Sequence, residues 1–314
     1  MRYVIWGRYL GLGLLILSCF RCSEAPDTPL ITTFYHWETI LAPDSTAKKL
    51  LSNYACDRLY VKAFDVAWQA SRPEPTALVQ MRDTTALPTL VPVVFITNEV
   101  FKNEPQAQLI DLADNIVGLV EELFPADFPE LQIDCDWTAR TQVPYFVFLK
   151  AVQARLGPRA LTCTVRLHQY RDVKEQGVPP VTRATLMAYN VGDLNLWATD
   201  NSIIDTTILK HYLAGTAPYP IQLDLALAVY DWAAVYRRQN LAYLINEPLL
   251  TELQDSVRFL ELTDEGLRYE VRQSTYLDGI YLYTGDRIRR EVASPDMVDQ
   301  QTKLLQRYVP GFAG

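Results

Sequence analysis

The sequence predicts an α/β fold, a single (β/α)8 TIM barrel with a β-hairpin inserted before its eighth strand, and three observations carry that prediction. Eight short β-rich runs alternate with amphipathic helical patterns over about 280 residues, the span such a barrel needs. The run Gln222-Leu223-Asp224-Leu225-Ala226-Leu227-Ala228 alternates leucines with polar or small residues. This suits a strand whose leucines meet an outer helix ring while Gln222, Asp224, Ala226 and Ala228 face the barrel interior. No glycine-rich phosphate loop follows the first strand, where Tyr35-His36-Trp37-Glu38 stands instead, and this disfavours an open doubly wound sheet.

Taken in order, the chain begins with an address. Arg2 and Arg8 precede an apolar run from Leu10 to Leu17 that ends at Ser18-Cys19. A membrane-spanning helix needs about 20 residues, so residues 1–18 read as a signal peptide. Ile16-Leu17-Ser18-Cys19 resembles a bacterial lipobox, which predicts lipidation at Cys19, while Cys22 is a poorer candidate behind Arg21. Residues 19–29 then form a lipidated cysteine and polar tether, and residues 30–314 the barrel domain. The expected location is the bacterial cell envelope, after export, with the membrane reached through the lipid anchor.

The predicted strands are residues 30–35, 58–64, 89–96, 130–135, 160–166, 184–189, 220–228 and 277–283. Helical stripes cover 106–123, where Leu109, Ile110, Leu112, Ala113, Ile116, Val117, Val120 and Leu123 repeat at i, i+3, i+4, and 143–156, which opens near Pro144 and stops at Gly157-Pro158. The closing helix spans 295–308. Within 257–272, two β-rich runs flank Thr263-Asp264-Glu265-Gly266, and these make the inserted hairpin.

Composition excludes some roles. The 314 residues are 49% apolar and 21% charged, enough to bury a large core. The net charge of −8 becomes −10 without Arg2 and Arg8, which argues against gripping a nucleic acid. Cys56, Cys135 and Cys163 form no CxxC pair and read as small buried hydrophobes. His36 and His168 could meet Asp136 at a metal, but no HxH or HExxH spacing supports this, so neither a metal nor another cofactor is expected. A serine triad has no G-x-S-x-G elbow.

In such a barrel the chemistry sits where strands run into the following loops. Those positions hold His36, Trp37 and Glu38, then Lys62 and Asp65, then Glu99, then Asp134, Asp136 and Trp137. Arg166 and His168 follow, then Tyr189 and Asn190, then Asp224 and Tyr230, and last Tyr281. Carboxylates among aromatic rings suit a sugar ligand: rings cover the apolar faces of pyranoses, and acids hydrogen-bond hydroxyls or carry acid/base steps. A glycan is therefore the expected partner. Period two places Asp134 and Asp136 on one face, with Cα atoms about 6–7 Å apart, and like charge should raise one pKa. An equally weighted alternative is an interior ion-pair network with Lys62 or Arg166.

Ile133-Asp134-Cys135-Asp136-Trp137 and Leu186-Met187-Ala188-Tyr189-Asn190 resemble the D-x-D-W-E and M-x-Y-D strands of glycoside hydrolase family 18, the chitinase-like barrels. The resemblance extends to an uncharacterised group of exported bacterial chitinase-like barrel proteins. It is carried by Thr33-Phe34-Tyr35-His36-Trp37-Glu38, by residues 60–66 from Tyr60 to Val66, and by residues 225–232 from Leu225 to Trp232. It implies a carbohydrate-active barrel with Asp136 and Asp134 central. At the family's general-acid glutamate this chain has Thr138, at its later aspartate Asn190, and at its first aspartate-glycine Leu131-Gln132. Threonine cannot donate a proton as a carboxylic acid does. Either Glu99 or Glu38 takes that role in a glycosidase, or the barrel is a non-catalytic glycan-binding or envelope assembly protein.

Overall fold

The computed structural model describes residues 31–263 and 265–309; the signal run, Cys19 and the tether lie outside the described residues. Seven parallel strands form one sheet in chain order: Phe34–His36, Arg58–Gln69, Thr89–Ile96, Glu130–Asp134, Ala160–Arg166, Arg183–Met187 and Gln222–Ala226. Each pairs with the next, the barrel-like order that successive crossovers of one hand produce. Arg72–Thr76 adds an antiparallel arm to the second strand.

Strand alternation sets the two faces. Val61, Val94, Ile133, Cys163, Val165 and Leu186 turn outward and share one core with the apolar stripes of helices Leu109–Leu123 and Gln142–Leu156. Each of these valine, isoleucine and leucine side chains, fully buried, contributes roughly 1.5–3 kcal/mol. Leu223, Leu225 and Leu227 also pack against this core, while Asp224 turns in to meet Arg183. The closing helix Pro295–Tyr308 begins with Ser294 as its cap, the Oγ accepting from the Met297 N–H, and with proline in its first turn. No described helix is long and apolar enough to cross a membrane.

The expected eighth strand is corrected. Residues 277–283 do not join the parallel sheet; Thr275–Leu277 and Ile280–Leu282 pair antiparallel with each other. Asp278 and Gly279 both take positive φ, at 46° and 74°, the backbone of a two-residue hairpin turn for which Asp-Gly is a strong signal. Among the described residues the first and seventh parallel strands are not paired with each other, so the sheet is a curled half-barrel.

The inserted hairpin forms, with Phe259–Glu261 against Arg268–Val271, but within a larger unit. A five-stranded antiparallel sheet runs in the order Asn240–Asn246, Asp231–Arg237, Arg287–Val292, Arg268–Val271, Phe259–Glu261. Arg238 and Gln239, which join its first two strands, sit at φ 50° and 70° without a glycine to announce the turn. Its own core gathers Val235, Ile245, Phe259, Tyr269, Val271 and Ile288, together with Leu277 and Leu282 of the small hairpin.

Candidate functional site

Inward side chains of the fourth parallel strand form a polar ladder from Glu130 through Gln132 to Asp134, all buried. At the end where the strands begin, Arg183 donates to Glu130 at 2.5 Å and also pairs with Asp224. Arg58, Tyr60 and Thr162 reach the same Glu130 carboxylate, at 3.4, 3.2 and 2.6 Å. Asp224 therefore belongs to a supporting network at the opposite end from the mouth, and its place among the ligand-facing residues is corrected; it pairs sideways with a residue that opens its own strand. One step up, Gln132 donates to Thr185 at 3.1 Å and accepts from the Tyr35 hydroxyl at 2.7 Å.

At the mouth, Asp134 accepts from Thr164 at 2.6 Å and lies 3.4 Å from an Arg166 Nη. The Arg166 Nε donates to Asp136, so one guanidinium joins both carboxylates. Asp134 is 3% exposed, whereas the Asp136 side chain is 51% exposed. Burial pushes the Asp134 carboxyl above its usual range, Arg166 and Thr164 oppose the rise, and the neighbouring charges of Asp136 and Asp65 add to it. Desolvation, more than like charge, is the cause. The ion-pair alternative is thus what the geometry shows, with Arg166 as the cation. Lys62 pairs instead with Asp65, at 3.3 Å. Strict alternation would put these two on opposite faces, and a register shift between Lys62 and Phe64 brings them together.

His168 sits just beyond the fifth strand, where burial lowers its pKa and the Asp136 charge and the Trp137 backbone oppose that. Across the mouth, burial holds the Tyr189 phenol up at about 12, with Arg166 pulling it down. The Tyr230 hydroxyl donates to Asn190 Oδ1 at 2.8 Å, and the Tyr189 and Tyr230 rings meet edge-on at 6.2 Å. Asn190 takes φ 55°, a left-handed backbone that asparagine tolerates better than most residues. On the first strand Tyr35 and Trp37 share the inner face, and Trp37, Tyr35 and Tyr60 stack with centroids 5.3 and 4.9 Å apart. The half-buried Trp37 ends this stack.

Other expected site residues fall elsewhere. Trp137 is corrected: it is 0% exposed, stacks on Tyr145 at 5.1 Å and donates its Nε1–H to the Gln176 carbonyl at 2.9 Å. By the period of two it points outward like Cys135, into the core under the helices. Glu99 lies in the first turn of helix Asn98–Asn103, its side chain 62% exposed and paired with Lys102 at 3.3 Å, with no contact to the aspartates. Glu38 is exposed. His36, opposite in parity to Tyr35 and Trp37, engages the Ile40 carbonyl at 3.1 Å, and burial lowers its pKa. Tyr281 stands exposed on the small hairpin, edge-on to Tyr276 and Tyr283, which is a correction of its barrel-strand placement.

Thr164, Gln132 and Tyr35 were not among the expected site residues; the alternation that placed Asp134 inward was the signal that could have found them. Thr138 is taken up by the loop that starts helix Gln142–Leu156: its N–H donates to Thr141 Oγ1 at 2.9 Å, and Thr141 Oγ1 donates to Asn98 at 2.5 Å. Among the described residues no group of three His, Cys, Asp or Glu side chains could hold a metal ion, and Cys56, Cys135 and Cys163 are free thiols.

No protein-family model and no curated protein matches the chain. Solved structures do. The Bacillus cereus spore cortex-lytic enzyme SleL aligns at 13% identity with a TM-score of 0.50, over 91% of this chain and 69% of that one. A candidate sporulation-specific glycosylase, ydhD of Bacillus subtilis, aligns at 14% identity and TM-score 0.49, over 80% and 87%. A chitinase from Chromobacterium violaceum aligns at 11% and 0.49, over 91% and 92%. At such identities the likeness to SleL is one of fold alone.

Proposed function

We propose that this chain is a glycoside-hydrolase-like, carbohydrate-active lipoprotein of the bacterial envelope whose barrel mouth binds a glycan without cleaving it. The observation that carries this reading is the Arg166 guanidinium joined to both Asp134 and Asp136. Glycoside cleavage needs a protonated acid beside the leaving oxygen and a second carboxylate across the sugar. Here the carboxyl held above its usual range is the buried one, and the accessible one is engaged by an arginine. Thr138, at the position of the related barrels' acid, serves its own loop. What remains suits binding: Asp136, His168, Asn190 and Tyr230 for hydroxyls, and Trp37 and Tyr189 for sugar faces. The fold likeness to SleL, a cortex-lytic enzyme, supports a carbohydrate ligand.

The test is binding and reducing-end release with N-acetylglucosamine oligomers and peptidoglycan glycan strands. Wild-type protein is expected to bind one of these and release nothing, and Asp136→Asn to weaken binding about tenfold, the size of losing one hydrogen bond to a charged group. The raised Asp134 carboxyl beside Asp136 favours a second reading, a glycosidase. Reducing ends released by the wild type and lost in Asp136→Asn would establish it.

For the location, Arg2, Arg8 and the run ending Leu17-Ser18-Cys19 support export and lipidation. Protein expressed in a bacterial host should partition with membranes and carry a mass increase of a diacylglycerol and acyl chain on Cys19. Cys19→Ser should abolish both, and an unmodified mature protein would remove the anchor from the proposal.

A further inference from the structure

The segment between the sixth parallel strand and helix Thr206–Leu213 carries Tyr189 and Asn190 but has no regular structure of its own, so its backbone groups need partners from elsewhere. The antiparallel sheet supplies them. The Tyr236 hydroxyl donates to the Leu194 carbonyl at 2.5 Å. Arg268 donates to the Trp197 and Thr199 carbonyls at 2.6 and 3.0 Å. Arg289 donates to the carbonyls of Leu194, at 3.3 Å, and Leu196. Glu291 accepts from the Ser202 N–H and Oγ, at 2.6 and 2.5 Å, and from Trp232 Nε1 at 3.1 Å.

Arg289 and Glu291 are fully buried and bonded to each other at 2.5 Å. A buried ion pair adds little net stability over an apolar pair of the same shape, so its distinctive effect is to specify geometry. That geometry reaches the mouth in two short steps. The Gly192 N–H donates to the Ser202 carbonyl at 3.1 Å, and the Asn190 N–H donates to the Ile203 carbonyl at 2.8 Å. At Gly192 a Cβ would come within 2.9 Å of the Ser202 Cα, so only glycine allows this approach. Asn190 then receives the Tyr230 hydroxyl from the residue just before the antiparallel sheet's strand Asp231–Arg237.

We infer that the antiparallel sheet is a positioning platform for the glycan site: through Glu291, Arg289 and Arg268 it sets the loop that presents Tyr189 and Asn190, and so shapes which glycan the mouth accepts. This rests on the glycan reading above. Glu291 touches no ligand and acts through Ser202 and Asn190.

The experiment uses the full chain, N-acetylglucosamine oligomers and peptidoglycan glycan strands as probes, and amide hydrogen exchange. Glu291→Gln is expected to weaken binding about tenfold and to speed exchange across residues 190–204 while leaving the parallel strands unchanged. In an Asn190→Ala background it should add no further loss, because both changes act on one element. If Glu291→Gln does not fold, Ser202→Ala, which removes one donor to the carboxylate, carries the same three measurements. Unchanged exchange in the loop, or losses that simply add, would overturn the inference and leave the glycan reading standing. A wild type that binds neither probe would overturn the reading and the inference with it.

Discussion

Trp137→Ala should lower stability by about 3–5 kcal/mol and leave the glycan affinity of the folded protein unchanged. The ring has no exposed surface, stacks on Tyr145, meets Phe146 edge-on at 6.0 Å and has its only polar atom bonded to the Gln176 carbonyl. Truncation opens a cavity between the sheet and helix Gln142–Leu156, removes the ring's dispersion contacts and takes the donor from the part-buried Gln176 carbonyl. Denaturant unfolding together with binding at a temperature where the variant stays folded checks both halves. Normal stability with lost binding would return Trp137 to the mouth.

Arg166→Met should cost about 2–3 kcal/mol near neutral pH. Deleting one partner of a fully buried pair is costlier, but Asp136 is half-exposed and water screens that side of the bridge. The larger share falls on Asp134, left buried with Thr164 as its remaining donor. The sign of the pH dependence follows. In the wild type the Asp134 carboxyl is already held above its ordinary value by burial, so the folded protein binds the proton more tightly than the unfolded chain. This group's contribution to stability therefore falls as pH rises from the ordinary carboxylate range to the folded value. Removing Arg166 takes away the main opposing charge and extends that window upward. The gap between variant and wild type should be widest near neutral pH and narrow as pH falls through the ordinary carboxylate range, where Asp134 becomes protonated in both folded proteins. Urea midpoints measured across that range test it, and a gap independent of pH would show that Arg166 is not the partner of Asp134.

Much of the site was legible because strand alternation is a local property. Asp134 and Asp136 point inward since they sit two apart on a strand with apolar residues between them, and the same rule puts Trp37 inward. The rule also sends Trp137 and His36 the other way, which chemical interest in a tryptophan and a histidine obscured. Lys62 and Asp65, three apart, share the mouth only because the second strand is bulged where it pairs with the third, a property of the pair. Glu99 lay at a strand end in sequence yet faces solvent, since the first turn of a helix can aim a side chain away from the barrel axis.

By itself the sequence determined where seven of its eight expected strands lie along the chain, the helices over 106–123, 143–156 and 295–308, and the acidic inner face, because hydrophobic period and right-handed crossovers leave few other arrangements. Only the tertiary structure decided the rest. Residues 277–283 alternate well enough for a barrel strand, and what takes them out is a two-residue turn together with a second core that buries Leu277 and Leu282. Arg287–Val292 finds its partners in strands from Glu270, paired with Arg287, back to Asp231, paired with Val292, pairings that no local pattern records. The choice between an acid pair and an arginine-bridged pair also belonged to the fold. Arg166 is 30 residues from Asp136 along the chain, and the register of adjacent strands is what brings its guanidinium between the two carboxylates.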